Sequence, residues 1–207
     1  AIALPAMREE FGLSLVDAGW LVAMFNTIAM VAGVFAGILA DRIGAWRFCV
    51  GAMVASAAGG LIALAGPGET ALLVSRAIEG VGFIAVAAAA PALVSVATAP
   101  GQRRLALAIW SCYMPVGITV SLLAAPPVMG ASGWRGLWVL VLAVTLAGTA
   151  LVVALRRDFE DVARGSASAF ADLGIVLRNR TAWLLAGALA CFAVQFFVVV
   201  TWLPTYL

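Results

Sequence analysis

Residues 37–47 read GILADRIGAWR, a short charged connection between two long apolar runs at 19–40 and 46–66. Each run has about the 20 apolar residues that a helix needs to cross the hydrocarbon core of a bilayer. Lipid offers no hydrogen-bond partner to open backbone groups, so a run of this length must be helical. The stretch therefore predicts a tight connection between two membrane-spanning helices.

The rest of the chain repeats this pattern. Of its 207 residues, 65% are hydrophobic and 11% are charged, and the mean hydropathy is +1.12. A soluble domain has about 45–50% apolar and about 25% charged residues. The predicted spans are 19–40, 46–66, 70–97, 105–129, 136–155 and 181–203, and the stub 1–5 is predicted to end an earlier helix. We expect an all-α polytopic membrane protein, since the runs are too long for barrel strands.

The arginines are distributed unevenly between alternate connections. Nine of the twelve lie in the connections 41–47, 98–104 and 156–180, whereas two lie on the opposite side. Arginine concentrates in cytoplasmic loops, so the first set is predicted to face the cytoplasm. We expect a multi-pass protein of the plasma membrane, the inner membrane of a bacterium.

The composition excludes several classes of function. The chain has no Lys for a retinal Schiff base and no His for a haem or a typical zinc site. Its three cysteines are widely spaced within apolar runs, which favours inert buried thiols. We therefore expect no enzyme activity, no metal, no cofactor and no nucleic-acid partner.

One connection is much longer than the others. Residues 156–180 hold five arginines and four acids, and 169–178 could form an amphipathic helix at the membrane surface. This connection is the one candidate for a boundary between two bundles, and it divides the chain into 1–155, a cytoplasmic loop over 156–180, and 181–207.

The connection 37–47 has readable physical chemistry. Gly37 follows Gly33 by four residues, a spacing of small residues that lets another helix approach closely. Asp41 stands at a helix end, where its carboxylate can pair with an arginine or cap a neighbouring helix. Gly44 permits a tight turn.

The same residues resemble the signature that the major facilitator superfamily has between its second and third helices, G-x-L-a-D-r-x-G-r-r. The chain departs from it at Ala45-Trp46, where the family usually has basic residues, and an arginine follows one step later. The resemblance implies a cytoplasmic latch that holds the outward-open state. Its gating residues would be Gly37, Asp41, Arg42, Gly44 and Arg47; the alternative is a tight loop that merely carries positive charge.

A second motif, Arg76-Ala77-Ile78-Glu79-Gly80-Val81-Gly82, resembles the family pattern R-x-x-x-G-x-G. Arg76 is the only cation within the predicted spans, and such a charge costs at least about 2.5–3.5 kcal/mol on insertion scales. Glu79 lies three residues on and shares a helix face with it. Either the two residues line the central pathway and bind substrate or carry protons, or they neutralise each other near the outer headgroups.

Isolated polar residues in the other spans are further pathway candidates. Asn26, Tyr113 and Gln195 could contact substrate or could form hydrogen bonds between helices. Pro115 is expected to kink its helix and free a carbonyl. The sequence around it resembles the cyanate-permease-like branch of the superfamily, and an antiporter run G-x-x-x-G-P is not visible.

The resemblance implies twelve helices in two halves with a substrate site between them, so this chain would be a truncated major-facilitator-type bundle. It also implies that 1–155 is an N-terminal six-helix bundle with a truncated first helix and that 181–207 is the first helix of a C-terminal bundle. We expect a secondary transporter in the lipid bilayer for a small solute, coupled to a proton or another ion. The positive charge of Arg76 favours an anion. An exporter of drugs or metabolites is the alternative. A seven-helix receptor fits less well, because the Asp-Arg loop is typical of a carrier.

Overall fold

The computed structural model describes residues 2–66, 68–159, 174 and 178–206, and the regular structure in this part of the chain is helical. The helices are α1 (Leu4–Phe11), α2 (Leu15–Ile43), α3 (Ala45–Ala65), α4 (Glu69–Val96), α5 (Arg103–Ser111), α6 (Tyr113–Ala154) and α7 (Arg180–Tyr206). A 3-10 turn, Arg156–Asp158, follows α6. The all-α fold class is confirmed.

The chain divides into two compact units. Ile2–Gly165 form one unit, which holds α1 to α6, and Ser166–Leu207 with Ala1 form the other, which holds α7. α7 is a 27-residue apolar helix with a stacked pair of rings, Phe192 and Phe196. The expected surface helix at 169–178 lies almost entirely outside the described residues.

Four helical segments of the described chain are long and apolar enough to cross a membrane: Leu15–Gly33, Ala45–Ala65, Glu69–Val96 and Arg103–Ala154. The last one contains both spans predicted at 105–129 and 136–155. A loop was expected at 130–135, but only Gly133 leaves helical geometry, with φ 65° and ψ −167°. Met129 and Trp138, on either side of it, pack against the same buried cluster. Gly133 therefore separates two helices within this segment.

α2 begins four residues earlier than the predicted span. Ser14 Oγ accepts a hydrogen bond from the Asp17 N–H at 3.2 Å, and the Asp17 carboxylate accepts one from the Ser14 N–H at 2.9 Å. This reciprocal capping box satisfies two backbone donors at the helix start. The hydrophobic run alone missed it, although the Ser-x-x-Asp spacing was a readable signal.

The connection at 41–47 is shorter than expected, because α2 continues to Ile43 and α3 begins at Ala45. Only Gly44 is non-helical, at φ 94° and ψ 134°. An L-residue rarely adopts a φ in this range, which explains the glycine in physical terms. The expected tight turn is therefore present.

α4 lies between α2 and α3 and packs against both. A Cβ atom on Gly80 would lie 2.5 Å from the Phe25 carbonyl oxygen of α2, and one on Gly82 would overlap the Ser56 hydroxyl of α3. A Cβ atom on Gly59 of α3 would lie 3.1 Å from the Ser75 carbonyl oxygen of α4. Because these glycines have no side chains, the helix backbones can approach each other closely. Lipid provides no hydrophobic driving force between helices, so close packing at small residues is what holds them together.

Two buried clusters mark the two ends of the first unit. The Trp134 end consists of Ala3, Met7, Leu13, Leu21, Ala63, Leu72 and Trp134. The Trp46 end consists of Ala45, Cys49, Ala89 and Leu93, with Trp46 and Phe159 packed against them.

A kink was expected near Pro115. The regular α-helical pattern is interrupted at Cys112, between α5 and α6 and one turn before the proline, although the backbone of Cys112 stays in the right-handed helical region at φ −76° and ψ −5°. Proline has no N–H to donate and its ring clashes with the carbonyl four residues earlier, here that of Ser111. The break therefore relieves the clash at the position where the proline ring would create it.

Candidate functional site

Arg76 and Glu79 form an ion pair on the third turn of α4. Their side chains are 23% and 16% exposed, so the pair is largely enclosed by apolar helices. Ser75, which is completely buried, donates a hydrogen bond from Oγ to Glu79 Oε1 at 3.4 Å. The carboxylate thus has two polar partners on its own helix.

Trp138 of α6 covers the guanidinium. Arg76 Cζ lies 5.0 Å from the centroid of the indole ring, within the range of a cation–π interaction. The indole N–H of Trp138 is buried without a hydrogen-bond acceptor among the described residues. Trp138 also meets Trp134 edge to face at 5.6 Å. Sequence reasoning missed Trp138, since nothing in the spacing links it to Arg76.

The Arg76–Glu79 pair faces α3 and α6. A Cβ atom on Gly59 would lie 3.0 Å from Glu79 Cγ, and one on Gly60 would be 3.9 Å from Glu79 Oε1. α2 contacts α4 at other residues, among them Gly80 and Ile84. This placement agrees with mutual neutralisation of the two charges.

A second charged cluster at the Trp134 end joins α1 to α6. Trp134 Nε1 donates to Glu10 Oε2 at 2.7 Å, and Arg135 forms an ion pair with Glu10 Oε1 at 2.6 Å. The Arg135 guanidinium lies 4.5 Å from the Trp134 ring centroid. Hydrogen bonds from Arg135 and Trp134 hold the pKa of the Glu10 carboxyl below its usual range. We call Glu10, Trp134 and Arg135 the Glu10 clamp.

The contacts of the Glu10 clamp were not predicted from the sequence. A signal was available, because the predicted topology places the connections 6–18 and 130–135 on the same side of the membrane. An acid in one connection and an arginine in the other could have been paired on that ground.

Two of the three isolated polar candidates, Asn26 and Tyr113, contact residues other than the Arg76–Glu79 pair. Asn26 Nδ2 donates to the Val22 carbonyl of its own helix at 3.1 Å. Tyr113 is exposed and its ring lies 5.2 Å from that of Trp110. Gln195 is exposed on α7, in the other unit. Their roles in a pathway stay predictions.

The candidate gating residues lie at the turn between α2 and α3. Asp41, Arg42 and Arg47 are exposed, and Asp41 forms no ion pair with a described residue. A Cβ atom on Gly33 would be 3.2 Å from Ile84, whereas one on Gly37 would meet nothing within 4 Å. Only Gly33, of the two small residues, is therefore used for close helix packing within the first unit.

The side chain that fixes this turn is Trp46, the residue at which the chain departs from the family signature. Its Nε1 donates to the Val152 carbonyl at the end of α6, at 3.0 Å. Across the described residues, no cluster of three or more His, Cys, Asp or Glu could hold a metal ion.

Comparisons with known proteins agree with this architecture. The family model described as Major Facilitator Superfamily matches residues 1–207. A tetracenomycin C resistance and export protein of Streptomyces glaucescens is 30% identical over 92% of this chain and 34% of its own length. A major facilitator superfamily multidrug transporter, mfsC, of Aspergillus fumigatus is 29% identical over 72% of this chain and 29% of its own length.

A solved structure shares the fold. The crystal structure of the peptide transporter POT (E310Q mutant) in complex with alafosfalin superposes with a TM-score of 0.67 at 20% identity, over 91% of this chain and 44% of that chain. The chain thus spans about a third of the two relatives and under half of the solved transporter. With the match over its full length, the chain belongs to the major facilitator superfamily of membrane transporters.

Proposed function

We propose that this chain is the first part of a secondary active transporter that moves a small solute across the membrane by alternating access. The observation that carries the proposal is the largely enclosed Arg76–Glu79 ion pair. Ionisable residues within apolar spans are costly and usually serve a pathway or a coupling reaction. Family membership supports the transporter class, and the Arg76–Glu79 pair is the feature of this chain that would bind solute or carry protons.

In the proposed arrangement, residues 1–155 belong to the first bundle, 156–180 form the cytoplasmic connection, and 181–207 form the first helix of the second bundle. The nine arginines of the connections 41–47, 98–104 and 156–180 orient the Trp46 end toward the cytoplasm. A bacterial inner membrane is the proposed location. The solute site lies between the two halves near the midplane.

The proposed solute is a small organic anion. Arg76 is the cation that could bind this anion. In the structure its guanidinium pairs with Glu79 and lies over the ring of Trp138. An anion would replace the Glu79 carboxylate, and the released carboxylate would then favour a proton. Such an exchange would couple solute and proton because the enclosed site tolerates little net charge.

A second candidate is an exporter of drugs or metabolites. The two relatives described above are named for export and multidrug transport, which favours this direction over uptake. The fold is the same for both candidates, so the distinction depends on measured flux.

The test uses the full-length protein in proteoliposomes with a pH-sensitive dye inside. Probes are two organic anions, benzoate and lactate, and two lipophilic cations, ethidium and tetraphenylphosphonium. We expect a solute-dependent proton flux with an anion, and at least a tenfold loss in Arg76→Ala. Arg104→Ala, which removes an exposed arginine outside the predicted spans, is the matched control.

Two outcomes would reject parts of the proposal. If no probe produces flux in the wild type while the protein is folded, the solute class is wrong. If Arg76→Ala transports every probe as well as Arg104→Ala does, the binding role of the ion pair is wrong. Flux of the cations alone, from a proton-loaded compartment, would favour the exporter.

A further inference from the structure

Trp46 ties the start of α3 to the end of α6. Its indole N–H donates to the Val152 carbonyl at 3.0 Å, between residues 106 positions apart. The ring is partly buried and packs against the cluster of the Trp46 end, which includes Cys49 and Leu93. One side chain thus makes both an apolar contact and a directed hydrogen bond.

The Val152 carbonyl lies in the last turn of α6, where backbone carbonyls lack partners within the helix. α6 ends at Ala154, and the last four carbonyls of a helix lack a regular partner. The Leu155 N–H takes the Leu151 carbonyl at 3.0 Å, and Trp46 takes that of Val152. The indole therefore acts as a C-terminal cap supplied by a distant helix.

The chain beyond α6 is held to the same cluster. After Leu155 it forms the 3-10 turn Arg156–Asp158, closed by a hydrogen bond from the Phe159 N–H to the Arg156 carbonyl at 3.1 Å. The Phe159 ring then packs against the Trp46 end. The chain that leaves α6 is thus fixed at two points, Val152 and Phe159.

The turn between α2 and α3 is fixed by the same tryptophan. Between Trp46 and the exposed Asp41 and Arg42 there is one non-helical residue, Gly44. A movement of this turn must therefore displace Trp46 or carry Val152 with it. The family usually has a basic residue here, and a flexible point charge would not impose the single direction of an indole N–H.

We infer that Trp46 is a positioning residue that makes the Asp41–Arg42 turn and the start of the connection to the second half move as one body. The inference builds on the proposed alternating-access function, in which this turn gates the cytoplasmic side. Through Trp46, a displacement of the connection between the halves reaches the gating turn directly.

The test is hydrogen exchange by mass spectrometry on the full-length protein in nanodiscs, with Trp46→Phe as the variant. Phenylalanine keeps a ring in the cluster and removes only the donor. We expect amide exchange to become about 2- to 10-fold faster in peptides covering both 42–48 and 153–159, the factor that corresponds to one hydrogen bond's usual net contribution. The peptide 129–138 should be unchanged. Trp20→Phe, an exposed tryptophan, is the matched control.

Three results would overturn the inference. They are no change in either peptide, a change in only one of them, and a similar acceleration in all peptides, which indicates general destabilisation. This readout needs no flux, so a wild-type protein that transports nothing defeats the proposed function and leaves the coupling measurable.

A second readout separates positioning from stability. In proteoliposomes, Trp46→Phe should lower the maximal proton-coupled flux about 2- to 10-fold while the solute KM stays within twofold, since Trp46 does not contact the Arg76–Glu79 pair. An unchanged maximal flux, or a change in KM alone, would contradict the positioning role.

Discussion

The two ends of the first unit are each closed by a tryptophan N–H that bridges more than 100 residues, but the acceptors differ. At the Trp134 end the acceptor is the Glu10 carboxylate, which Arg135 also binds. At the Trp46 end it is the backbone carbonyl of Val152. Hydrogen bonds to charged groups are roughly twice as strong as those between neutral groups.

The surrounding clusters differ in the same direction. The Trp134 end buries large side chains, and Trp134 itself is 3% exposed. The Trp46 end is built mainly on small residues, among them Ala45 and Ala89. The Trp46 end buries less apolar area and is closed by a neutral hydrogen bond, so a local rearrangement costs less free energy there than at the Trp134 end. The candidate gating turn lies at this less stable end.

The largest expected effect on stability follows from removing the Trp134 ring. Trp134→Ala should lower the unfolding free energy by about 3–5 kcal/mol, because it creates a cavity and removes the donor to Glu10. Urea-dependent unfolding of the full-length protein in detergent measures it. The control is Trp20→Ala, at a position 57% exposed. Equal effects for the two substitutions would remove the basis for calling this end the more stable one.

A smaller effect should follow from forcing apart the helices that connect the two ends. Gly80→Val places a branched side chain against the Phe25 carbonyl, and such overpacking costs about 1–3 kcal/mol. Gly51→Val is the control, since a Cβ atom there meets nothing within 4 Å. The melting temperatures of both variants test this; a Gly80 variant as stable as the Gly51 variant would mean that α2 and α4 need no close contact.

The third prediction compares the two tryptophan donors directly. Trp46→Phe should cost about 0.5–1.5 kcal/mol, the usual net contribution of a neutral hydrogen bond. Trp134→Phe should cost more, because the lost acceptor is charged. Both are measured by unfolding in the same detergent. The reverse order would show that the carbonyl cap, and not the Glu10 clamp, is the stronger closure.

Much of this architecture was predictable from sequence because the bilayer imposes it. Runs of about 20 apolar residues gave the helices, and Gly44 gave the tight turn that the structure has at φ 94°. The helix boundaries were less accurate: the apolar runs missed the Ser14–Asp17 capping box, and the connection predicted at 130–135 is longer than the one-residue break at Gly133. Both depend on individual backbone hydrogen bonds or dihedrals, which average hydropathy does not encode.

The candidate site was only partly predictable. The i, i+3 spacing anticipated that Arg76 and Glu79 share a face, and they form an ion pair. Trp138 and the Glu10 clamp were missed, because a contact between distant helices depends on their rotation about their axes. A local pattern fixes which residues share a helix face, but it does not fix which face meets which neighbour.

The smallest expected effect is the pH dependence of the Glu10 clamp. Protonation of Glu10 leaves a neutral acceptor for the Trp134 N–H, and solvent screens the attraction between the exposed Glu10 and Arg135. Folding lowers the pKa of Glu10, so its contribution to stability is present above the ordinary glutamate pKa of about 4.3 and is lost as pH falls through the lower value in the folded state. Glu10→Gln cannot titrate. Its melting temperature should therefore be lower than that of the wild type at pH 7, and the difference should vanish in acid.

Glu9→Gln is the matched control for this titration, because Glu9 is exposed and forms no ion pair with a described residue. It should follow the wild type at every pH. Suppose instead that the Glu10→Gln difference grew as pH fell. Protonation of Glu10 would then strengthen the Trp134 end, and the carboxylate could not be what stabilises that end.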